Sequence, residues 1–150
     1  MIYTELTKKA LKLSFAAHKD QIDKSGMPYV FHPFHLAEQM DTEEKVIVAL
    51  LHDVVEDTDY SLKDLENMGF PEPVIQALAL LTHEKGTDYL AYVRALRSDP
   101  VARTVKLADL AHNEDEGRFA GCEDLNAEEL ARRRKKYAAA RLILLQTESS

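Results

Sequence analysis

Between Leu50 and Asp59 the sequence LLHDVVEDTD sets His52, Asp53, Glu56 and Asp57 into an otherwise apolar run. At 3.6 residues per turn His52 lies over Glu56 and Asp53 over Asp57. Two groups able to hold a metal therefore stand one turn from two further carboxylates. An ionised carboxylate carried into an apolar interior is costly unless a cation or hydrogen bonds compensate it, and a divalent metal supplies that compensation. The alternative is a solvated acidic helix face. Against it, Leu50, Leu51, Val54 and Val55 form an apolar side that places the polar residues on a rim or cleft rather than in bulk water.

Two other segments can complete a coordination sphere. In PYVFHPFHLAEQM, Pro33 disfavours the α conformation at His32, which predicts that His32 ends an extended stretch and that a helix starts at Pro33. In VARTVKLADLAHNED, the spacing of Val101, Val105, Leu107, Ala108 and Leu110 predicts a buried helix with Asp109 in its middle. A lone buried aspartate needs a partner. His32, His52, Asp53 and Asp109 together offer two imidazoles and two carboxylates, a donor set suited to manganese, iron, nickel, cobalt or zinc.

The order of His32, the His52-Asp53 pair and Asp109 resembles the HD superfamily of metal-dependent phosphohydrolases. The stretches QIDKSGMPYVFHP, ALLHDVVEDTD and VKLADLAHN narrow the resemblance to the hydrolase domain of the RelA/SpoT alarmone enzymes and to the Mesh-type small alarmone hydrolases. It spans Leu11 to Asn113 and, more faintly, the last helix. The resemblance implies one manganese ion held by His32, His52, Asp53 and Asp109, with Glu56 and Asp57 supporting attack of water on a phosphate. It also implies that Lys24 and Ser25 line the nucleoside side of a pocket, that Asn113 touches the sugar and that Tyr137 is a pocket tyrosine. Lys85, after a long apolar segment, is a further candidate for a phosphate contact, although a charge at a helix C-terminus explains it equally.

The activity so implied is hydrolysis of a nucleotide phosphate or pyrophosphate, with guanosine tetraphosphate as the family's substrate. Alternatives are a nucleoside monophosphate, another small phosphorylated metabolite, or a metal-dependent nucleotide sensor without turnover. Two positions depart from the pattern. Asp23 stands where the alarmone hydrolases usually have an arginine against the guanine base, and Leu110 replaces the arginine of KLADR. If both positions face the pocket, the loss of two cations predicts a poorer fit to a strongly anionic substrate.

The elements that must position these residues read as helices. Apolar spacing predicts a helix over Leu6 to Asp20. Thr42 caps one running through the HD segment, and Ser61 with Asp64 forms a capping box. Pro71 or Pro73 opens a helix carrying Val74, Ile75 and Leu78; Thr87 or Asp88 opens the next; Asp99-Pro100 opens the Asp109 helix. Gly117 and Gly121 mark a loop, and Asn126 or a neighbour caps a last helix ending near Gln146. The expected architecture is a compact, all-α, HD-type helical bundle made of a single domain over residues 1–150.

Composition excludes several classes. A net charge of −7 argues against general nucleic-acid binding but not against a nucleotide, whose charge a metal and a few lysines offset locally. No apolar run approaches the ~20 residues of a membrane span, and the N-terminus lacks a secretory pattern, so a cytoplasmic protein without membrane contact is expected. Cys122 is the only cysteine, and GCED offers it no positioned base. The run RRRKK at 132–136 reads as a mostly solvated face. His18, His35 and His83 read as structural, with His112 beside the Asp109 face. Homo-oligomerisation is left open.

Overall fold

The computed structural model describes residues 1–122 and 126–146. Among them nine α-helices follow one another: α1 (Glu5–His18), α2 (Phe31–Glu38), α3 (Glu43–Leu51), α4 (Val54–Asp57), α5 (Leu62–Asn67), α6 (Glu72–Leu81), α7 (Tyr89–Ala95), α8 (Pro100–Glu114) and α9 (Ala127–Leu145). The described residues form no strand, only an isolated bridge between Ile22 and Pro28. The all-α expectation is borne out.

Helix α3 is the centre of the bundle. Every residue from Val46 to Leu51 is at most 1% exposed, as expected of a helix that is apolar all round. It is enclosed by α1, α2, α6 and α8, and α9 packs across α7 and α8. One core runs through all of these helices, with Leu36, Leu65, Leu78, Leu96 and Leu144 among its largest fully buried side chains.

The caps follow from local chemistry. The side chains of Thr42, Ser61, Asp88, Asp99 and Asn126 each accept a backbone N–H in the first turn of the helix they precede, satisfying donors that have no partner within the helix. Ser61 and Asp64 form the reciprocal box. Pro71, Pro73 and Pro100 all fall at helix starts, where a missing N–H costs nothing.

Two local expectations are corrected. His32 is not in an extended stretch: α2 begins at Phe31, the His32 N–H reaches the Tyr29 carbonyl at 2.9 Å, and Pro33 falls inside the first turn, where its ring meets no preceding helical turn. The HD segment is not one continuous helix either. Helix α3 stops at Leu51, His52 is its C-cap, and Asp53 leaves helical geometry at φ −106°, ψ 0° before the single turn α4.

Candidate active site

That break has a chemical consequence. Consecutive residues of a continuous helix point about 100° apart, which sets His52 and Asp53 in diverging directions unless the backbone turns between them. With the helix interrupted between them, His52 Nε2 and Asp53 Oδ2 approach to 2.9 Å. His32 comes from the first turn of α2 and Asp109 from the middle of α8, both flanking α3. One donor atom from each of His32, His52 and Asp109 lies within 4.8 Å of the other two, and all three residues are buried. Donors bound at ~2.0–2.2 Å to one ion lie at most about 4.4 Å apart, so closure needs only small shifts. Asp53 joins this group at its edge, where its Oδ2 accepts a hydrogen bond from the Tyr29 hydroxyl.

The hydrogen bonds around the cluster fit a cation. His52 Nδ1–H donates to the Ala49 carbonyl at 2.7 Å, which leaves Nε2 turned inward. That nitrogen is buried and has no hydrogen-bond partner, because its approaches to Asp53 and to Asp109 Oδ1 at 3.7 Å do not have hydrogen-bond geometry. A buried nitrogen without a partner, facing two carboxylates, is placed to take a cation or a proton. His32 presents Nε2 to Asp109 Oδ1 at 2.9 Å, and its Nδ1 faces His112 Nδ1 at 2.7 Å. Burial first, then the charge of Arg118 and the neighbouring histidines, push His112 down to about 4, so it meets His32 as an uncharged ring.

Without a metal the cluster draws compensating charge from protons. Burial by itself lowers the His52 pKa, but Asp53 and then Asp109 outweigh it and hold the ring well above the ordinary histidine range. Burial likewise opposes ionisation of Asp109, yet the Lys106 ammonium 3.0 Å from its Oδ2, with His32 and His52, keeps it well below the usual carboxylate range. Because the folded pKa of His52 is raised, its contribution to the metal-free fold is full below the unfolded value near 6.5 and fades as pH rises through the folded value. Metal uptake must expel this proton. We expect release of about one proton per ion bound near neutral pH and tighter binding as pH rises, read by calorimetry in buffers of different ionisation enthalpy; proton-neutral uptake would contradict the assignment of His52 as donor.

A cleft of about 380 Å³ opens over the cluster. Tyr29, His32, Asp53 and Asp109 line it, as do Lys24, Ser25, Asn113 and Tyr137, so these four expected pocket residues do converge. Asn113 also donates to Asp109 Oδ1 at 3.0 Å. Glu56 and Asp57 lie at the same cleft. Glu56 is oriented by the backbone N–H of His83, 2.7 Å from its Oε1. Burial, with Asp53 and Glu56 close by, raises the Asp57 carboxyl to about 6. Lys85 does not join them: it lies exposed in the loop after α6 and outside the cleft lining.

Other cations stand where Lys85 was expected. Arg133, Lys136 and Tyr137 are spaced i, i+3, i+4 on α9 and share the face that crosses the cleft, so RRRKK is not wholly a solvated face. Arg133 stacks over Phe119 and Tyr137 at 5.2 and 5.5 Å. Lys106, Tyr29 and Arg118 were not singled out from the sequence. The spacing of Lys106 three residues before Asp109 was a usable signal, whereas nothing local pointed to Tyr29 or Arg118.

The two departures from the alarmone pattern read differently in three dimensions. The Asp23 carboxylate accepts from Ser25 N at 2.9 Å, Ser25 Oγ at 2.5 Å and Met27 N at 3.1 Å, and it pairs with Arg118 at 2.9 Å. Gly26, at φ +85°, completes this turn. Burial opposes its ionisation, but the bonds from Ser25 and Met27 and the charge of Arg118 lower its pKa. Asp23 thus braces the loop and, paired with Arg118, also lines the cleft. Leu110 does not face the cleft at all. It is 0% exposed in the core, one residue and about 100° around α8 from Asp109. Leu110→Arg should therefore not recover substrate contacts but destabilise the fold by several kcal/mol, as burial of an unpaired charge does, seen as a lower midpoint in denaturant.

Cys122 meets the Ser25 carbonyl at 3.3 Å, and Glu123 and Asp124 of GCED lie outside the described residues. No described helix is long and apolar enough to cross a membrane.

An all-helical bundle whose interrupted central helix brings His32, His52 and Asp109 together, with Asp53 at their edge, beside a polar cleft has the architecture of an HD-type hydrolase. No protein-family model matches the chain. The guanosine-3′,5′-bis(diphosphate) 3′-pyrophosphohydrolase MESH1 of Mus musculus is 36% identical over 114 residues, covering 66% of this chain and 63% of that protein. The guanosine-3′,5′-bis(diphosphate) 3′-pyrophosphohydrolase of Aquifex aeolicus is 30% identical over 123 residues, 74% of this chain and 18% of that protein. The chain spans less than two thirds of either relative. A solved structure described as a metazoan ortholog of SpoT that hydrolyzes ppGpp superposes with a TM-score of 0.79 at 23% identity, covering 99% of this chain and 90% of that one. The resemblance read from the motifs is borne out: homologues of this chain include guanosine-3′,5′-bis(diphosphate) 3′-pyrophosphohydrolases, and the fold is that of the metazoan SpoT orthologue.

Proposed function

We propose that the protein is a metal-dependent phosphohydrolase that removes the 3′-diphosphate of guanosine 3′,5′-bis(diphosphate), acting as a single cytoplasmic domain over residues 1–150. The observation that carries this reading is the buried cluster of His32, His52 and Asp109, with the orphaned Nε2 of His52, beside a cleft lined by carboxylates, three cations and the aromatic rings of Tyr29, Phe119 and Tyr137. The activities named for the homologues supply the substrate.

His32, His52, Asp53 and Asp109 would hold one divalent ion, with manganese the choice implied by the resemblance. Such an ion supplies acidification of water and neutralisation of phosphate charge. Glu56, held by the His83 N–H, takes the proton of the attacking water. Asp57 steers that water or the ligand. Lys24, Ser25, Asn113 and Tyr137 hold the nucleoside, and Arg133 adds charge where a polyphosphate enters. The new bond joins water oxygen to the inner 3′ phosphorus, the bond from that phosphorus to the sugar oxygen breaks, and the sugar oxygen takes up a proton.

Asp23, which puts a carboxylate where a base-contacting arginine is usual, favours a second reading in which another nucleotide or small phosphorylated metabolite is preferred. A phosphate- and pyrophosphate-release screen across nucleotides, with manganese, zinc, cobalt, nickel and iron(II) each added to metal-free protein, separates the two. Preference for guanosine 3′,5′-bis(diphosphate) is the expected result. Metal-dependent nucleotide binding with no turnover of any compound would identify a sensor instead.

A further inference from the structure

The cluster is flanked by a second, smaller chamber. Asp53, Glu56 and Asp109 line both spaces, but His32 faces only the larger cleft and His52 only the chamber. At about 200 Å³ it falls below the ~300–1,000 Å³ of cavities that enclose whole organic ligands, so it suits a small group attached to something held next door.

Opposite the carboxylates of Asp53, Glu56 and Asp109, its wall is built of hydrogen-bonded rings and carries two lysines. The Tyr92 hydroxyl donates to the Leu81 carbonyl at 2.6 Å, and the His83 ring stacks on Tyr92 at 4.6 Å and 21° while its Nε2 bonds the Thr87 carbonyl at 2.7 Å. Two ammonium groups project beside these rings. Lys106 is committed to Asp109, whereas Lys136 rests 4.4 Å over the Tyr89 ring with no ion pair to a described residue. Burial and the nearby charges of Lys106, Lys24 and Arg133 lower the Lys136 pKa. An anion entering the chamber can pair with the one ammonium there that no described carboxylate engages.

We propose that this chamber is the subsite for the outer phosphate of a diphosphate group, and that Lys136 is the residue by which the protein distinguishes a diphosphate from a monophosphate ester. The proposal rests on the phosphohydrolase reading. A diphosphate whose inner phosphate lies at the cluster, with its nucleoside in the larger cleft, must extend its outer phosphate away from that cleft. The space there is the chamber beside His52, whose free positive charge is Lys136. When the bond from the inner phosphorus to the sugar oxygen breaks, the diphosphate product remains in the chamber while the nucleoside leaves by the cleft. A monophosphate ester reaches the cluster but leaves Lys136 without a partner.

The test uses the metal-loaded protein and two probes, inorganic pyrophosphate and inorganic phosphate, each titrated calorimetrically with one equivalent of the same metal in the titrant. Pyrophosphate should bind at least tenfold tighter than phosphate. Lys136→Gln should erase most of that difference by weakening pyrophosphate alone, and Lys136→Arg, which keeps the charge, should restore it. Lys136 is itself exposed to solvent at the mouth of the chamber, so these variants are expected to fold, which circular dichroism checks. Equal weakening of both probes by Lys136→Gln, or no weakening of either, overturns the subsite, as does absence of tighter pyrophosphate binding in the parent. These readouts need no turnover, so failure of the nucleotide screen with a positive pyrophosphate result strikes the proposed activity and spares the chamber.

Discussion

Asp109→Asn is expected to leave the protein unable to hold its metal and therefore without hydrolase activity. Asp109 Oδ1 meets His32 Nε2 and Asn113 Nδ2, and its Oδ2 pairs with the Lys106 ammonium, so one carboxylate serves both as donor to the ion and as counter-charge to a buried lysine. An amide keeps the shape, removes the charge and presents an N–H towards at least one of these donors. The loss of metal affinity should exceed the roughly 10- to 100-fold cost of removing an outer partner of a ligand. The metal-free protein should also lose about 3–5 kcal/mol, the usual penalty for breaking one side of a buried pair and leaving the other charge unmatched. Elemental analysis of the purified variant measures the first effect and denaturant titration the second. Full metal occupancy in Asp109→Asn would remove Asp109 from the donor set, whatever happened to stability.

Glu56→Gln is expected to separate binding from chemistry. Glu56 is not in the buried cluster, since it lies on the rim with its Oε1 fixed by the His83 N–H. Its replacement should leave metal content and nucleotide affinity close to those of the parent. Hydrolysis of a verified substrate should fall ~10²- to 10⁴-fold, the range associated with loss of a positioned proton acceptor, with the change in kcat rather than KM. Unchanged turnover would hand the role to another group, and Asp57, raised to about 6 and next in the chain, is the first to examine. Loss of metal from Glu56→Gln would instead draw Glu56 into coordination.

The contrast between these residues and Leu110 shows how far sequence pattern reaches. Helix starts were legible because caps are local: an Asp, Asn, Ser or Thr before an apolar stretch satisfies unpaired N–H groups within a few residues, and Thr42, Ser61, Asp88, Asp99 and Asn126 all do so. Boundaries inside apolar runs were not. The stop at Leu51 and the helical start at Phe31 depend on how α3 packs among four neighbours, and local preference yields to that packing. Lys85 and the pair Arg133 and Lys136 exchanged roles for the same reason, because which cation reaches a cleft depends on the path of α9 over α7 and α8.

The chain alone determined the all-helical class, and it singled out His32, His52 and Asp109, which the fold brings together, because residue type, helical period and the order of the motifs are written along it. Tertiary structure decided where charge is compensated. Arg118 neutralises Asp23 across 95 positions, Tyr29 bonds Asp53 across 24, and His112 meets His32 across 80. The face of α8 that carries Leu110 turned out to be core, while the face carrying Asp109 looks into the cleft. Electrostatic pairing acts through space and is set by which helix surfaces meet, so no spacing along a single chain encodes it.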